Sequence, residues 1–181
     1  MPSARDTDLQ QRFEALLQEH RAIVVHVARV YAAVHDERHD LAQEICTQLW
    51  RAFPVYDPAR RFSTWMYRVA LNVGISHLRE AQARAAHFEP WDEELAEAFP
   101  GTPAAPHDER LASLRGLIAQ LEPLNRALLL LYLEDRPYAE IAEVLGLSES
   151  NVATKLNRIK QRWREQMAPT SLHLEKPDGT R

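Results

Sequence analysis

Seven residues near the C-terminus carry side chains suited to reading a nucleic-acid duplex: Ser150, Asn151, Thr154, Lys155, Asn157, Arg158 and Arg162. At helical spacing, Ser150, Thr154, Asn157, Arg158 and Gln161 point to one side, with Asn151, Lys155 and Arg162 on its flank. Amides and a guanidinium match the donors and acceptors of base edges in the major groove, and lysine matches phosphate. The opposite face is apolar, with Val152, Leu156, Ile159 and Trp163 in a stripe that must be buried.

The stretch that must position them runs from Pro137 to Arg164, PYAEIAEVLGLSESNVATKLNRIKQRWR. Pro137 suits the first turn of a short helix, where a missing N–H costs nothing. Tyr138, Ile141 and Leu145 share one face of that helix. Ala142 is small enough to let a second helix cross closely. Gly146 suits a left-handed helix terminus, and Ser148 suits the N-cap of the next helix. An ordinary helical hairpin with a solvated polar face would use many of the same residues. The small residue, glycine turn and cap at this spacing favour a helix-turn-helix.

A second set lies earlier in the chain. Pro54 ends a helix, and VYDPARRFS (Val55 to Ser63) reads as a loop bearing Tyr56, Arg60, Arg61 and Phe62. Ser63 or Thr64 is placed to cap a following helix from Trp65 to about Arg79. Met66, Val69, Ala70 and Val73 face inward on that helix, and Arg68, Asn72, Ser76 and Arg79 form a separate stripe. Aromatics beside a basic loop can stack on unpaired bases; Trp65 and Tyr67 would equally serve as core. Gly74 inside this helix costs about 1 kcal/mol relative to alanine, and nothing in the sequence accounts for it.

Upstream, Asp8 to Val34 is amphipathic, with a break near His20. His35 to Phe53 reads as a further helix with Asp36 as its cap. Leu41, Ile45, Leu49 and Phe53 line its buried face, with Trp50 beside them. Asp40, Gln43, Glu44 and Gln48 face elsewhere, as a solvated surface or a docking surface would. Downstream, Leu111, Leu114, Ile118 and Leu121 form a stripe, and Pro123 starts a helix whose Leu124, Leu128 and Leu131 pack towards the helix-turn-helix.

The 181 residues include 5 glycines and 11 prolines without strand-like alternation, so the expected fold class is all-α: two small helical domains joined by a flexible acidic linker, the second a helix-turn-helix. The boundaries read as 1–80, a linker at 81–109, a domain at 110–168 and a disordered tail at 169–181. A short helix at Asp92 to Ala98 is possible within the linker. Net charge is −4, but its distribution matters more. Arg51 to Arg84 holds six arginines against two acids, and Glu149 to Glu165 five basic residues against two glutamates. Between them, His87 to Glu109 holds seven acids and no lysine or arginine. That pattern suits two DNA-facing surfaces and an intervening segment that avoids DNA. Fully extended, the linker would reach about 95 Å, enough for sites two DNA turns, about 70 Å, apart.

No apolar run is long enough to span a membrane, and no signal-peptide core opens the chain. The single cysteine, Cys46, excludes an internal disulfide and a multi-cysteine zinc site. These features fit a cytoplasmic protein. His35 and His39 share helical spacing without a completing ligand, so no metal is expected. No phosphate-binding glycine loop or nucleophile elbow occurs, so neither an enzyme activity, a cofactor nor a small-molecule substrate is expected.

Two separate stretches then match one family. Asp40 to Glu80, DLAQEICTQLWRAFPVYDPARRFSTWMYRVALNVGISHLRE, resembles the core-binding and promoter-melting part of bacterial RNA polymerase sigma factors. Leu121 to Glu165 resembles their C-terminal promoter-binding domain. The short length and missing intermediate domain resemble the extracytoplasmic-function class of the sigma-70 family. Either stretch alone is moderately specific; both, in this order, are strongly so. The resemblance implies that Asp40, Gln43, Glu44, Gln48 and Trp50 dock on the clamp helices of core RNA polymerase. It implies that the loop Tyr56 to Ser63 captures a flipped base of the non-template strand at the −10 element. Thr64, Trp65, Arg68, Asn72 and Arg79 would hold the melted strand, and the helix Glu149 to Arg164 would read the −35 element. It further implies an anti-sigma partner, membrane-bound in many members. Ser76, Asn151 and Ala153 depart from common family residues and bear on promoter sequence. A plain DNA-binding regulator would not need the Asp40 to Arg79 match, and a polymerase-binding scaffold would not need Lys155 and Arg158.

Overall fold

The computed structural model describes residues 4–87 and 116–167, all of whose regular elements are helical. The expectations for residues 88–115, including the helix at Asp92 to Ala98, and for the tail beyond 167 lie outside these residues. Four helices form the N-terminal group: α1 (Ala4–Glu19), α2 (Arg21–Tyr31), α3 (His35–Ala52) and α4 (Phe62–His87), with a 3-10 turn at Phe53–Val55. After a helical turn at 116–119, the C-terminal group comprises α5 (Pro123–Leu133), α6 (Tyr138–Leu145) and α7 (Glu149–Met167).

The apolar spacing sets the packing. Val27, Leu41, Ile45, Leu49, Met66 and Leu71 are fully buried among α2, α3 and α4, while Leu128, Leu131, Ile141, Val152 and Leu156 form the C-terminal centre. The break at His20 is real, and the His20 ring lies 5.5 Å from Phe62, tying the α1–α2 corner to the start of α4. Pro123 stands in the first turn of α5, as expected. Gly146 ends α6 at φ +66°, and the Leu147 amide returns to the Ala142 carbonyl at 2.9 Å. This closure satisfies helix-end carbonyls. Ser148 Oγ accepts the Asn151 amide at 3.3 Å, giving α7 its side-chain cap.

Several local expectations are corrected. Asp36 does not cap α3: the N-cap is Val34, and Asp36 lies in the first turn, where an acid favours the helix dipole. Neither Ser63 nor Thr64 caps α4, which starts at Phe62 and so takes both into its first turn. That helix also runs past Arg79 to His87, into the stretch read as linker. Pro137 is the residue before α6 rather than within it, and Tyr138 is exposed on the outside of the unit.

Gly74 now has a reason. A Cβ there would lie 2.7 Å from Tyr31 Cδ2, 2.9 Å from Tyr31 Cγ and 3.2 Å from Val27 Cγ1. Glycine lets α4 lie directly on α2.

The two helical groups touch. Tyr31 Oη donates to the Pro123 carbonyl at 2.7 Å, and burial pushes the Tyr31 hydroxyl above its ordinary range, keeping it a neutral donor. Arg126 is almost wholly buried and donates to the carbonyls of Leu121 at 2.9 Å, Ala119 at 2.5 Å and Val30 at 3.4 Å. Burial pulls its pKa down, with Tyr31 acting the other way; a guanidinium still keeps its proton. Arg126→Met should preserve apolar volume but orphan these carbonyls, costing about 2–3 kcal/mol. Urea denaturation followed by circular dichroism reads this, and an unchanged midpoint would remove the structural role.

Candidate nucleic-acid and protein interfaces

On α7, burial of Val152, Leu156 and Ile159 against α5 and α6 turns Ser150, Asn151, Thr154, Asn157, Arg158 and Arg162 outward, while Lys155 is half-buried. Not all the polar atoms are equally available. Thr154 Oγ1 donates to the Ser150 carbonyl at 2.8 Å, and Ser150 Oγ lies 3.0 Å from Ser148 Oγ. Lys160, by contrast, belongs to the fold: its Nζ donates to Tyr132 Oη at 2.8 Å and sits 4.1 Å from that ring's centroid.

The loop before α4 is held by its own side chains. Tyr56 Oη donates to the Arg60 carbonyl at 2.6 Å, and Asp57 Oδ1 accepts the Ala59 amide at 2.9 Å. This Asx turn leaves Arg60 and Arg61 exposed. Tyr56, Phe62 and Trp65 form an aromatic cluster, with centroid distances of 5.0 Å for Tyr56–Trp65, 5.4 Å for Tyr56–Phe62 and 5.2 Å for Phe62–Trp65. Phe62 is buried beneath the other two, which are half-buried, so Tyr56 and Trp65 offer the accessible ring surface. Arg68, Asn72, Ser76 and Arg79 are exposed along α4; Ser63 is half-buried.

On α3, Asp40, Gln43 and Glu44 are exposed and Gln48 half-buried. Gln48 Nε2 donates to Glu44 Oε1 at 2.6 Å, and Gln43 pairs with His39 at 2.9 Å. Trp50 is 39% exposed although its ring lies 5.2 Å from Phe13. A cavity of about 510 Å³ between α3 and α4 brings Glu44 and Gln48 beside Asn72 and Ser76, over a floor that includes Leu41 and Val69. Residues singled out for two different tasks therefore share one cleft. Cys46, beside this face, has its thiol pushed up by burial and stays protonated.

Thr64 and Tyr67 do not join the exposed set. Thr64 is 7% exposed and its hydroxyl donates to Glu140 at 3.2 Å. Tyr67 is 1% exposed and donates to Glu134. Sequence reasoning missed Glu134, Arg136 and Glu140, which come to α4 from the other helical group. Their only trace in the sequence is charge crowded at the mouth of an apolar helix, in LEDRPYAE. Among the described residues, no group of three His, Cys, Asp or Glu could hold a metal ion, and no helix is long and apolar enough to cross a membrane.

Comparison with known proteins matches these surfaces in order. The sigma-70 region 2 family matches residues 16–84, and the sigma-70 region 4 family matches residues 111–162. The chain is 31% identical over 140 residues to the RNA polymerase sigma-H factor of Pseudomonas aeruginosa, covering 71% of this chain and 72% of that one. It is 27% identical over 149 residues to the ECF RNA polymerase sigma factor SigW of Bacillus subtilis, covering 77% and 79%. In three dimensions it resembles the sigma factor RpoE in its complex with the anti-sigma factor NepR from Bartonella quintana. The TM-score is 0.60 at 18% identity, covering 90% of this chain and 99% of that one.

Proposed function

Because the chain belongs to the sigma-70 family of RNA polymerase sigma factors, in its extracytoplasmic-function class, we propose that residues 1–80 bind core polymerase and the −10 element and residues 110–168 bind the −35 element, with 81–109 as linker. The chain is a transcription initiation factor that directs polymerase to its own promoters. It has no catalytic chemistry of its own and acts in the cytoplasm.

Asp40, Gln43, Glu44, Gln48 and Trp50 dock on the polymerase clamp. The exposure of the three most polar of these, on a helix whose other face is locked in the core, supports that role. Tyr56, Arg60, Arg61 and Trp65 receive a flipped base of the non-template strand, at a cost of a few kcal/mol that stacking and phosphate contacts must offset. Arg68, Asn72 and Arg79 follow the strand along α4. The cleft joining Glu44 to Asn72 supports a continuous path from polymerase to melted DNA.

The exposed face of α7 reads the −35 duplex. If Arg158 contacts a base edge, Arg158→Ala should weaken −35 binding by about 1–3 kcal/mol. Gel-shift titration on the promoter measures this, and unchanged affinity would reject the contact. The likeness to RpoE bound to NepR supports restraint by an anti-sigma factor. The single observation that carries the reading is the pairing of both family regions, in order, on one short chain. Its test is whether the purified chain makes core polymerase start at a defined position.

A further inference from the structure

The loop between the 3-10 turn and α4 is tied down from Tyr56 to Arg61. Asp57 makes two of the ties: its main-chain carbonyl accepts the Arg60 amide at 3.0 Å, and its Oδ1 accepts the Ala59 amide at 2.9 Å. Pro58 sits between them, at the turn position that its ring presets. The Arg60 carbonyl accepts from Tyr56 Oη at 2.6 Å, so the backbone of Arg60 is held at both its amide and its carbonyl. The next carbonyl, of Arg61, accepts the Trp65 amide at 3.2 Å and opens α4. Both exposed arginines therefore leave from a fixed backbone. The Tyr56 ring is fixed as well, stacked on the buried Phe53 at 5.9 Å and 15°.

This arrangement limits where an unpaired base can go. A base slotted between two rings needs them about 7 Å apart, twice the roughly 3.4 Å rise of stacked bases; the centroids of Tyr56 and Trp65 are 5.0 Å apart. The base must lie outside the ring pair, against the turn, whose amides at Ala59 and Arg60 are already spent. Its place then depends on the shape of the turn. The exposed carboxylate of Asp57 stands in the same turn as Arg60, where it opposes phosphate. Charge gives no reason for an acid there; the bond to Ala59 does. We infer that Asp57 is a positioning residue for base capture: its side chain, with the Tyr56 hydroxyl, sets the turn before the strand arrives, so that binding spends little on ordering the loop. This rests on the base-capturing role proposed for Tyr56, Arg60, Arg61 and Trp65.

Two readouts on the full chain test it. Exchange of the Ala59 amide, followed by NMR without DNA, reads the hold itself. Asp57→Ala should speed that exchange several-fold, and Asp57→Asn, whose side-chain oxygen accepts the same bond, should not. Unchanged exchange in Asp57→Ala would overturn the hold. The second readout is binding by the chain in complex with core polymerase. The probes are single-stranded abasic 12-mers carrying one central A, C, G or T, and the same strand with no base. The ratio of the two affinities separates base capture from phosphate contacts. In the wild type at least one base should bind about tenfold tighter than the bare strand. Asp57→Ala should bring that ratio below about threefold while bare-strand affinity does not fall, and Asp57→Asn should keep the ratio. A ratio that survives Asp57→Ala, or that Asp57→Asn loses as fully, would overturn the positioning role. A wild type that prefers no base would overturn base capture, and the role of Asp57 with it, whatever the Ala59 amide does.

Discussion

Gly74→Val is expected to destabilise the protein by about 3 kcal/mol, and Gly74→Ala by about 1–2 kcal/mol. The sign of the alanine effect is the informative part. Helix propensity alone would make alanine better by about 1 kcal/mol. Packing opposes it, because the new methyl would fall 2.7 Å from the Tyr31 ring. That ring has no easy retreat: it is buried, and its hydroxyl is fixed to the Pro123 carbonyl. Overpacking should therefore win, and valine adds two further carbons to the same gap. Urea denaturation followed by helical circular dichroism measures both variants. A stabilising Gly74→Ala would show that α2 and α4 are not in this close contact.

Asp40→Lys/Glu44→Lys is expected to weaken binding to core polymerase by about 2–5 kcal/mol, roughly thirtyfold or more. Both carboxylates are exposed on α3, beside the face that buries Leu41, Ile45 and Leu49. Reversing them should leave helix content and melting temperature close to wild type. If the face docks on the clamp, each lysine meets a partner surface arranged for an acid, so a favourable term becomes a repulsive one. Binding at wild-type strength in a fluorescence titration with purified core would sink the docking assignment. Loss of binding together with loss of helicity would place the carboxylates in the fold instead.

Much of the architecture was legible because it rests on local rules. The Gly146 turn, the Ser148 cap, Pro123 at the start of α5 and the break at His20 each follow from one residue's backbone preference. The outward set on α7 followed from its apolar stripe. The errors came where a distant residue outbid a local preference. Thr64 is a good cap by type, yet its hydroxyl is taken by Glu140, 76 residues away. Tyr138 shares a face with Ile141 by spacing, but α6 leaves it exposed and buries Ile141, Ala142 and Val144. Gly74 could not be understood from its own helix, since the reason lies on α2. The contacts of Glu134 were invisible for the same cause: no spacing rule links it to His26 and Tyr67. Family resemblance named the surfaces on α3, α4 and α7, but not how the two helical groups meet.

The central claim is that this chain recruits core RNA polymerase and starts transcription at promoters of its own. Co-purification with core polymerase, followed by run-off transcription on the DNA upstream of its own coding sequence, tests it most directly. The expected result is a stable complex and a transcript with one defined start, absent with core alone. Sequence-specific duplex binding without polymerase association would contradict the claim and make the chain a plain DNA-binding regulator.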